Sequence, residues 1–469
     1  MNASKYATSK QSYSKQNKTP YTKNIYFIQM LPKWTFAAAL GTGLVAYSYY
    51  RDRRQVQALT APAPLIIATD LEPDDCFALL VLRLRGVTPK GILVGEGCST
   101  AKVQRMRTLA PYLGWQSTQI LQGMPSDACS LEFEEPRDYL EETVKEPVCG
   151  TTSWARTLGA VLDDGFDCRE LTVLEDVNPI RQPTLLFLKP PRELVHAEKT
   201  EPEEAKKLFA RVRLVLYGSY NLRQVGYENV VGWLDPDRTP FQSVIMYENH
   251  GSMDYDGAFK TLREDNMEPW GSFHGREARK VHSLGQYARR LRAFMQQWDA
   301  YILKDCDQTC AAIEETPGWQ SDPVQQSRWS RNKSCADAVR PYAGRQIAAA
   351  DPVLAAILDH RVFRTKLHPV QRASWTPGQP YLDIVDDANA SGSGGRVARY
   401  KGMVPDDIKW ELYGAWTILF PEFELRQNRK AELQAQAAQA AQAAQAAQAA
   451  QAAQAASAAS ISSERIAAP

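Results

Sequence analysis

One stretch restricts the fold more than any other: PLIIATDLEPDDCFALLVLRLRG, Pro64 to Gly86. An apolar run with β-branched residues leads into an acidic turn, and a second apolar run follows. PLIIATD suits a buried strand, because short apolar runs of this kind pack on both faces of a sheet. Pro73 stands where a helix begins, and its missing N–H costs nothing at that position. DDCFALLVLRLRG continues the helix, and Gly86 closes it. The pattern then repeats. GILVGEG reads as a strand, STAKVQRMRTLAPYLG as a helix with Ser99 as N-cap that Pro111 ends early, and TQILQG as a third strand. Farther on, EPEEAKKLFARVRLVLYGS is a helix running into a strand, and FQSVIMY is another strand. Consecutive strands joined by helices pair in parallel, so the spacing predicts an open, doubly wound, mostly parallel α/β sheet. Ligands in that architecture bind at the carboxyl ends of the strands.

Asp70 falls at the carboxyl end of the first strand, and Asp74 and Asp75 open the helix after it. Such a turn aims all three carboxylates into one small volume. Backbone amides at a helix start can satisfy one carboxylate but cannot neutralise three. A hard divalent cation can, and calcium or magnesium prefers oxygen ligands of this kind. The competing reading is plainer: Asp74 and Asp75 cap the helix and face solvent.

Asp70, three intervening residues and Asp74-Asp75 together resemble the DxDxGxDD signature of the inosine-uridine preferring nucleoside hydrolases. The likeness continues in order along the chain. GEGCSTAKVQRMRTLAPYLG is similar to that family's second strand–helix unit, VRLVLYGSYNLRQV to its strand ending in a GPLTN-like turn, and SVIMYENHG to its VVLMGG strand. IAAADPVLAAIL resembles the late helix start HDPxAxA, and DDIKWELYGAWTILF the closing helix. The resemblance implies a calcium ion held by Asp70, Asp75, Asp351 and the backbone carbonyl of Tyr217. It implies Asp70 as the base that takes a proton from the attacking water, with Asp74 as the alternative base and as the partner of the sugar hydroxyls. Glu264-Asp265-Asn266 takes the place of the sugar-binding EFN motif, which makes Glu264 and Asn266 substrate-binding candidates. The chain also departs from the pattern. Ala68 replaces the first aspartate, LEP replaces the usual turn with its glycine, Gly97 stands where an asparagine holds the sugar, and Ala350 replaces the histidine that helps the base depart. His250 and His274 are the remaining candidates for protonating a leaving group.

The chain of 469 residues, 44% of them apolar, can bury a sizeable core. Its 55 lysines and arginines nearly balance 54 acids, so nothing in the charge points to nucleic acid. Residues 1–33 form a basic polar leader with six lysines and no acid. Residues 34–50 are uncharged, have Trp34 and Tyr47, Tyr49 and Tyr50 at their ends, and are expected to form a single membrane anchor. A mitochondrial targeting segment is the alternative. Residues 51–62 read as a linker, 63–425 as the α/β domain and 426–469 as an Ala/Gln-rich tail. The tail repeats with a period of three, so no apolar stripe forms on a 3.6-residue helix. Eight cysteines lack zinc-ligand spacing, and Cys306, Cys310 and Cys335 lie in a polar segment that could cross-link in an oxidising compartment.

Three functions compete. The first is calcium-dependent hydrolysis of N-glycosidic bonds in nucleosides or related ribosides, in a chain that can form homo-oligomers. The second is a catalytically degenerate, membrane-anchored binding or scaffold protein. The third is a haloacid-dehalogenase-type phosphatase using Asp70, which Glu72 disfavours because it stands where a second aspartate is needed.

Overall fold

The computed structural model describes residues 63–96, 99–124, 153–163, 182–248, 261–263, 281–358, 367–379, 381–387, 395–401 and 406–466. The first three strands are β1 (Ala63–Thr69), β2 (Pro89–Val94) and β3 (Gln119–Gln122). Then come β4 (Thr184–Phe187), β5 (Arg213–Tyr217), β6 (Ser243–Glu248), β7 (Thr261–Arg263) and β8 (Gln346–Ala348). Last are β9 (His368–Ser374), β10 (Asp383–Asp386) and β11 (Val397–Lys401). Nine of them form one sheet in the order β10-β9-β11-β6-β5-β4-β1-β2-β3, while β7 and β8 pair separately. From β3 to β11 every pairing is parallel; β9, near the far edge, pairs antiparallel with both β11 and β10. The mostly parallel sheet expected from the alternation is therefore present. Strand order reverses at β1, which has β2 on one side and β4 on the other. A crevice opens at such a reversal, because the crossovers on its two sides leave toward opposite faces.

β1 shows why this sequence builds the centre of the sheet. All seven of its residues are buried. Leu65 and Ile67 join the apolar layer on one face, while Ile66 and Ala68 join the layer on the other. Side chains alternate along a strand, so a run with no polar member fits only where both faces are covered.

The main helices are α1 (Pro73–Leu84), α2 (Ser99–Leu109), α3 (Trp154–Asp163), α4 (Arg192–Thr200) and α5 (Pro202–Phe209). After them come α6 (His282–Glu314), α7 (Pro323–Val339), α8 (Ala350–Ile357), α9 (Asp406–Leu419) and α10 (Pro421–Ile466). α1 begins at Pro73 as the sequence suggests, and Gly86 follows its end with φ +74°. α2 stops at Leu109, and a short 3-10 turn through Pro111 takes over. α8 lies along α1, joining a late segment to the first crossover. The Ala/Gln tail is part of α10, which Phe423 anchors in its first turn and whose residues 432–455 are all exposed.

The membrane reading needs correction. Among the described residues no helix is long and apolar enough to cross a bilayer, so the single-pass anchor and the membrane location built on it are not supported. The segment 34–50 itself lies outside the described residues.

Candidate metal centre

The turn between β1 and α1 is held by short local bonds. Leu71 has φ +59°, a left-handed conformation that costs a non-glycine residue roughly 1–3 kcal/mol. It persists because the Leu71 side chain is fully buried and its backbone N–H donates to Thr69 Oγ1 at 2.9 Å. Thr69 Oγ1 in turn donates to Asp75 Oδ1 at 2.6 Å. The Glu72 backbone N–H donates to Asp75 Oδ2 at 3.2 Å, as half of a reciprocal capping box. From the far side, Tyr287 Oη on α6 donates to the Cys76 carbonyl at 2.6 Å. Asp75 is thus fixed in position before any ligand arrives.

Asp351, the second residue of α8, meets this turn. Carboxylate oxygens of Asp74, Asp75 and Asp351 all lie within 4.8 Å of one another. Asp75 and Asp351 are only 1% and 6% exposed, and Asp74 is half-buried. Burial, followed by the charge of Asp70, pushes the Asp74 carboxyl up to about 7. Burial also holds Asp75 and Asp351 well above the usual carboxylate range, and the charges acting on them are those of other acids in the same turn and cluster. Asp70, half-buried just past the end of β1, raises all three neighbours and shares a side-chain hydrogen bond with Asp75.

A cation fits this arrangement. Calcium binds oxygen at about 2.3–2.6 Å, so two ligands on opposite sides of one ion stand up to about 5 Å apart. Three oxygens within 4.8 Å of one another satisfy that bound. The donor set is carboxylate only, which suits a hard ion. Without one, the cluster must take up protons or carry like charges in a dry pocket.

Tyr217 ends β5, and β4 stands between β5 and β1. Two strand spacings therefore separate its strand from β1, roughly 10 Å. The backbone beside the end of β1 belongs to the segment after β4, where the Leu188 N–H donates to the Ala68 carbonyl at 2.9 Å. Glu264, Asn266, His250, His274 and Gly97 lie outside the described residues. Ala350 opens α8 directly before Asp351.

A second charged group escaped the sequence reading. Lys189 follows β4, and its Nζ donates to Glu193 Oε1 at 2.9 Å and Oε2 at 2.8 Å, with both side chains fully buried. Glu193 Oε1 also accepts from the Met124 backbone N–H at 2.8 Å. Arg192 Nε donates to Glu96 Oε1 at 2.8 Å, and Lys189 Nζ lies 3.8 Å from the same oxygen. Glu96 follows β2 with φ +63°. Burial raises its carboxyl, although Lys189 and Arg192 oppose that shift. β1 sits between β2 and β4, so the Arg192–Glu96 pair reaches across its carboxyl end, beside the acidic turn. The signal was present in the sequence: PTLLFLKPPREL is a short apolar run followed by prolines and charges. It reads as β4 once TLLF is recognised as a strand.

No family model and no curated protein matches the sequence. Solved structures do. The inosine-uridine preferring nucleoside hydrolase from Bacillus anthracis aligns with 76% of this chain and 99% of its own, at 11% identity and a TM-score of 0.38. An inosine-guanosine nucleoside hydrolase aligns with 76% of this chain and 98% of its own, at 14% identity and a TM-score of 0.37. The type III effector protein XopQ, complexed with adenosine diphosphate ribose, aligns with 79% of this chain and 98% of its own, at 12% identity and a TM-score of 0.37.

Proposed function

We propose that the chain is a calcium-dependent hydrolase of N-glycosidic bonds in nucleosides or related ribosides. The observation that carries this reading is the convergence of Asp74, Asp75 and Asp351 at the switch-point end of the sheet. Asp75 and Asp351 would hold the ion, with Asp70 at its edge and a backbone carbonyl completing the set; Tyr217 is the candidate from the sequence. A bound divalent ion acidifies water, which is the chemistry it would supply. Asp70, half-buried at the mouth of the turn, is the base that removes the proton from the attacking water. Asp74, with its carboxyl near 7, can share a proton with a sugar hydroxyl and orient the ring. Anionic oxygens below an anomeric carbon also favour the positive charge that develops there as the base leaves. The dry pocket strengthens each of these interactions.

A second reading has its own support. The Glu96–Arg192 pair spans the end of β1, and Ala350 brings no imidazole to the start of α8. Both suit a protein that binds a riboside without turning it over. The purified full chain, incubated with calcium and a panel of purine and pyrimidine ribosides, decides between them. Release of ribose that disappears in Asp75→Ala supports the hydrolase. Saturable riboside binding without release supports the binding protein. Failure to bind calcium or any riboside rejects both.

A further inference from the structure

α6 and α7 form an antiparallel helical hairpin, and their shared seam is thin. α7 spans 17 residues, yet Ala336 is its only buried residue among those described, and Val324 is 72% exposed. The facing part of α6 contributes Cys306, Cys310 and Ile313. Leucine or isoleucine would be expected along such a seam, and thiols stand there instead. Flanking bonds set the register. Trp329 Nε1 donates to Glu314 Oε1 at 2.8 Å, Cys310 Sγ donates to the Trp329 carbonyl at 3.8 Å, and Arg340 Nη2 donates to Asp307 Oδ1 at 2.9 Å. That register brings Cys335 on α7 opposite Cys306 on α6, with the two thiols in hydrogen-bonding reach. Cys306 is buried and Cys335 is exposed; neither is in a disulfide.

We propose that Cys306 and Cys335 are a peroxide-responsive thiol pair whose disulfide staples the hairpin. Cys335 is the thiol that meets the oxidant. Hydrogen peroxide converts its thiol to a sulfenic acid and leaves as one water. Cys306 then attacks that sulfur, the S–O bond breaks, and a second water departs with the proton of the Cys306 thiol. Two thiols are oxidised by two electrons and one peroxide is reduced to two waters. Burial and the neighbouring Cys335 hold the Cys306 thiol up at about 12, so it rests protonated and does not react with oxidant first. Cys310 lies one turn farther along α6 and is engaged with the Trp329 carbonyl, so it takes no part.

The test uses the full-length chain, reduced, desalted and treated with hydrogen peroxide at a few molar equivalents. Intact mass and a non-reducing peptide map read the product. The expected result is a loss of two thiols and about 2 Da, one cross-linked peptide joining Cys306 to Cys335, and full reversal by dithiothreitol. Limited proteolysis within residues 315–335 should slow at least several-fold in the oxidised form. Cys310→Ser should leave the cross-link unchanged, and Cys335→Ser should abolish it. Stable sulfinic acid at Cys335 with Cys306 still free overturns the proposal. A disulfide from either cysteine to any other also overturns it. Both readouts are taken on the unmodified sequence, so a variant that fails to fold does not obscure the answer.

Discussion

Asp351→Asn should stabilise the metal-free protein, the reverse of what a buried polar substitution usually does. At pH 8 without divalent ions, folding gathers several acids in one dry volume, where they must repel one another or take up protons. The Asp74 carboxyl moves from 3.8 to about 7 on folding. That gap corresponds to roughly 4 kcal/mol of unfavourable charging at 1.36 kcal/mol per pH unit. A like-charge pair at 4.8 Å costs about 3 kcal/mol at an effective dielectric of 20. The substituted amide removes one such charge and forfeits hydrogen bonding worth about 1 kcal/mol. The expected net gain is about 2 kcal/mol. At about 2.1 cal/mol/K of unfolding entropy per residue, a domain of roughly 360 residues then melts about 2–3 °C higher. Calcium at 100 times its Kd should add about 2.7 kcal/mol to the original protein, or about 3–4 °C, and little to the variant. Differential scanning calorimetry in EDTA and in calcium reads both effects. A variant that melts lower in EDTA at pH 8 and keeps the full calcium shift would refute the electrostatic account of this site.

Other consequences are simpler to measure. The raised Asp74 carboxyl means the native state holds more protons than the unfolded chain between pH about 4 and about 7, so metal-free stability should fall as pH rises through that window, as urea midpoints across a pH series will show. Saturating calcium should flatten the same series. Lys189→Met leaves Glu193 charged and buried without its cation and should cost about 3–5 kcal/mol in urea unfolding, whereas the double change Lys189→Met with Glu193→Leu should recover much of that loss. Thr69→Val removes the hydroxyl that bridges the Leu71 N–H and Asp75, and should cost about 1–3 kcal/mol and weaken calcium binding measured by isothermal titration calorimetry.

Several features were readable along the chain because they depend on neighbours in sequence. β-branched runs, the proline at the start of α1 and the glycine after its end follow from local sterics, and they were enough to predict a mostly parallel sheet with acids at a strand end. The run TLLF is as apolar as the others, but a strand of four residues, close to prolines on both sides, lacks the length that makes a strand conspicuous. β4 is one of the two strands that flank β1, and Lys189 follows it. The membrane anchor was expected from the uncharged run 34–50 and the aromatic residues at its ends, and that segment lies outside the described residues.

Sequence by itself determined that Asp70, Asp74 and Asp75 share one turn, since a strand, a tight bend and a helix start leave those side chains little choice. Only the tertiary structure decided that Asp351 joins this turn from the far half of the chain, that Arg192 pairs with Glu96 across β1, and that Cys306 faces Cys335. Those pairings depend on how α8 lies on α1 and α7 on α6. Helix packing is fixed by the summed burial of many side chains far apart in the chain, and no short stretch of residues encodes it.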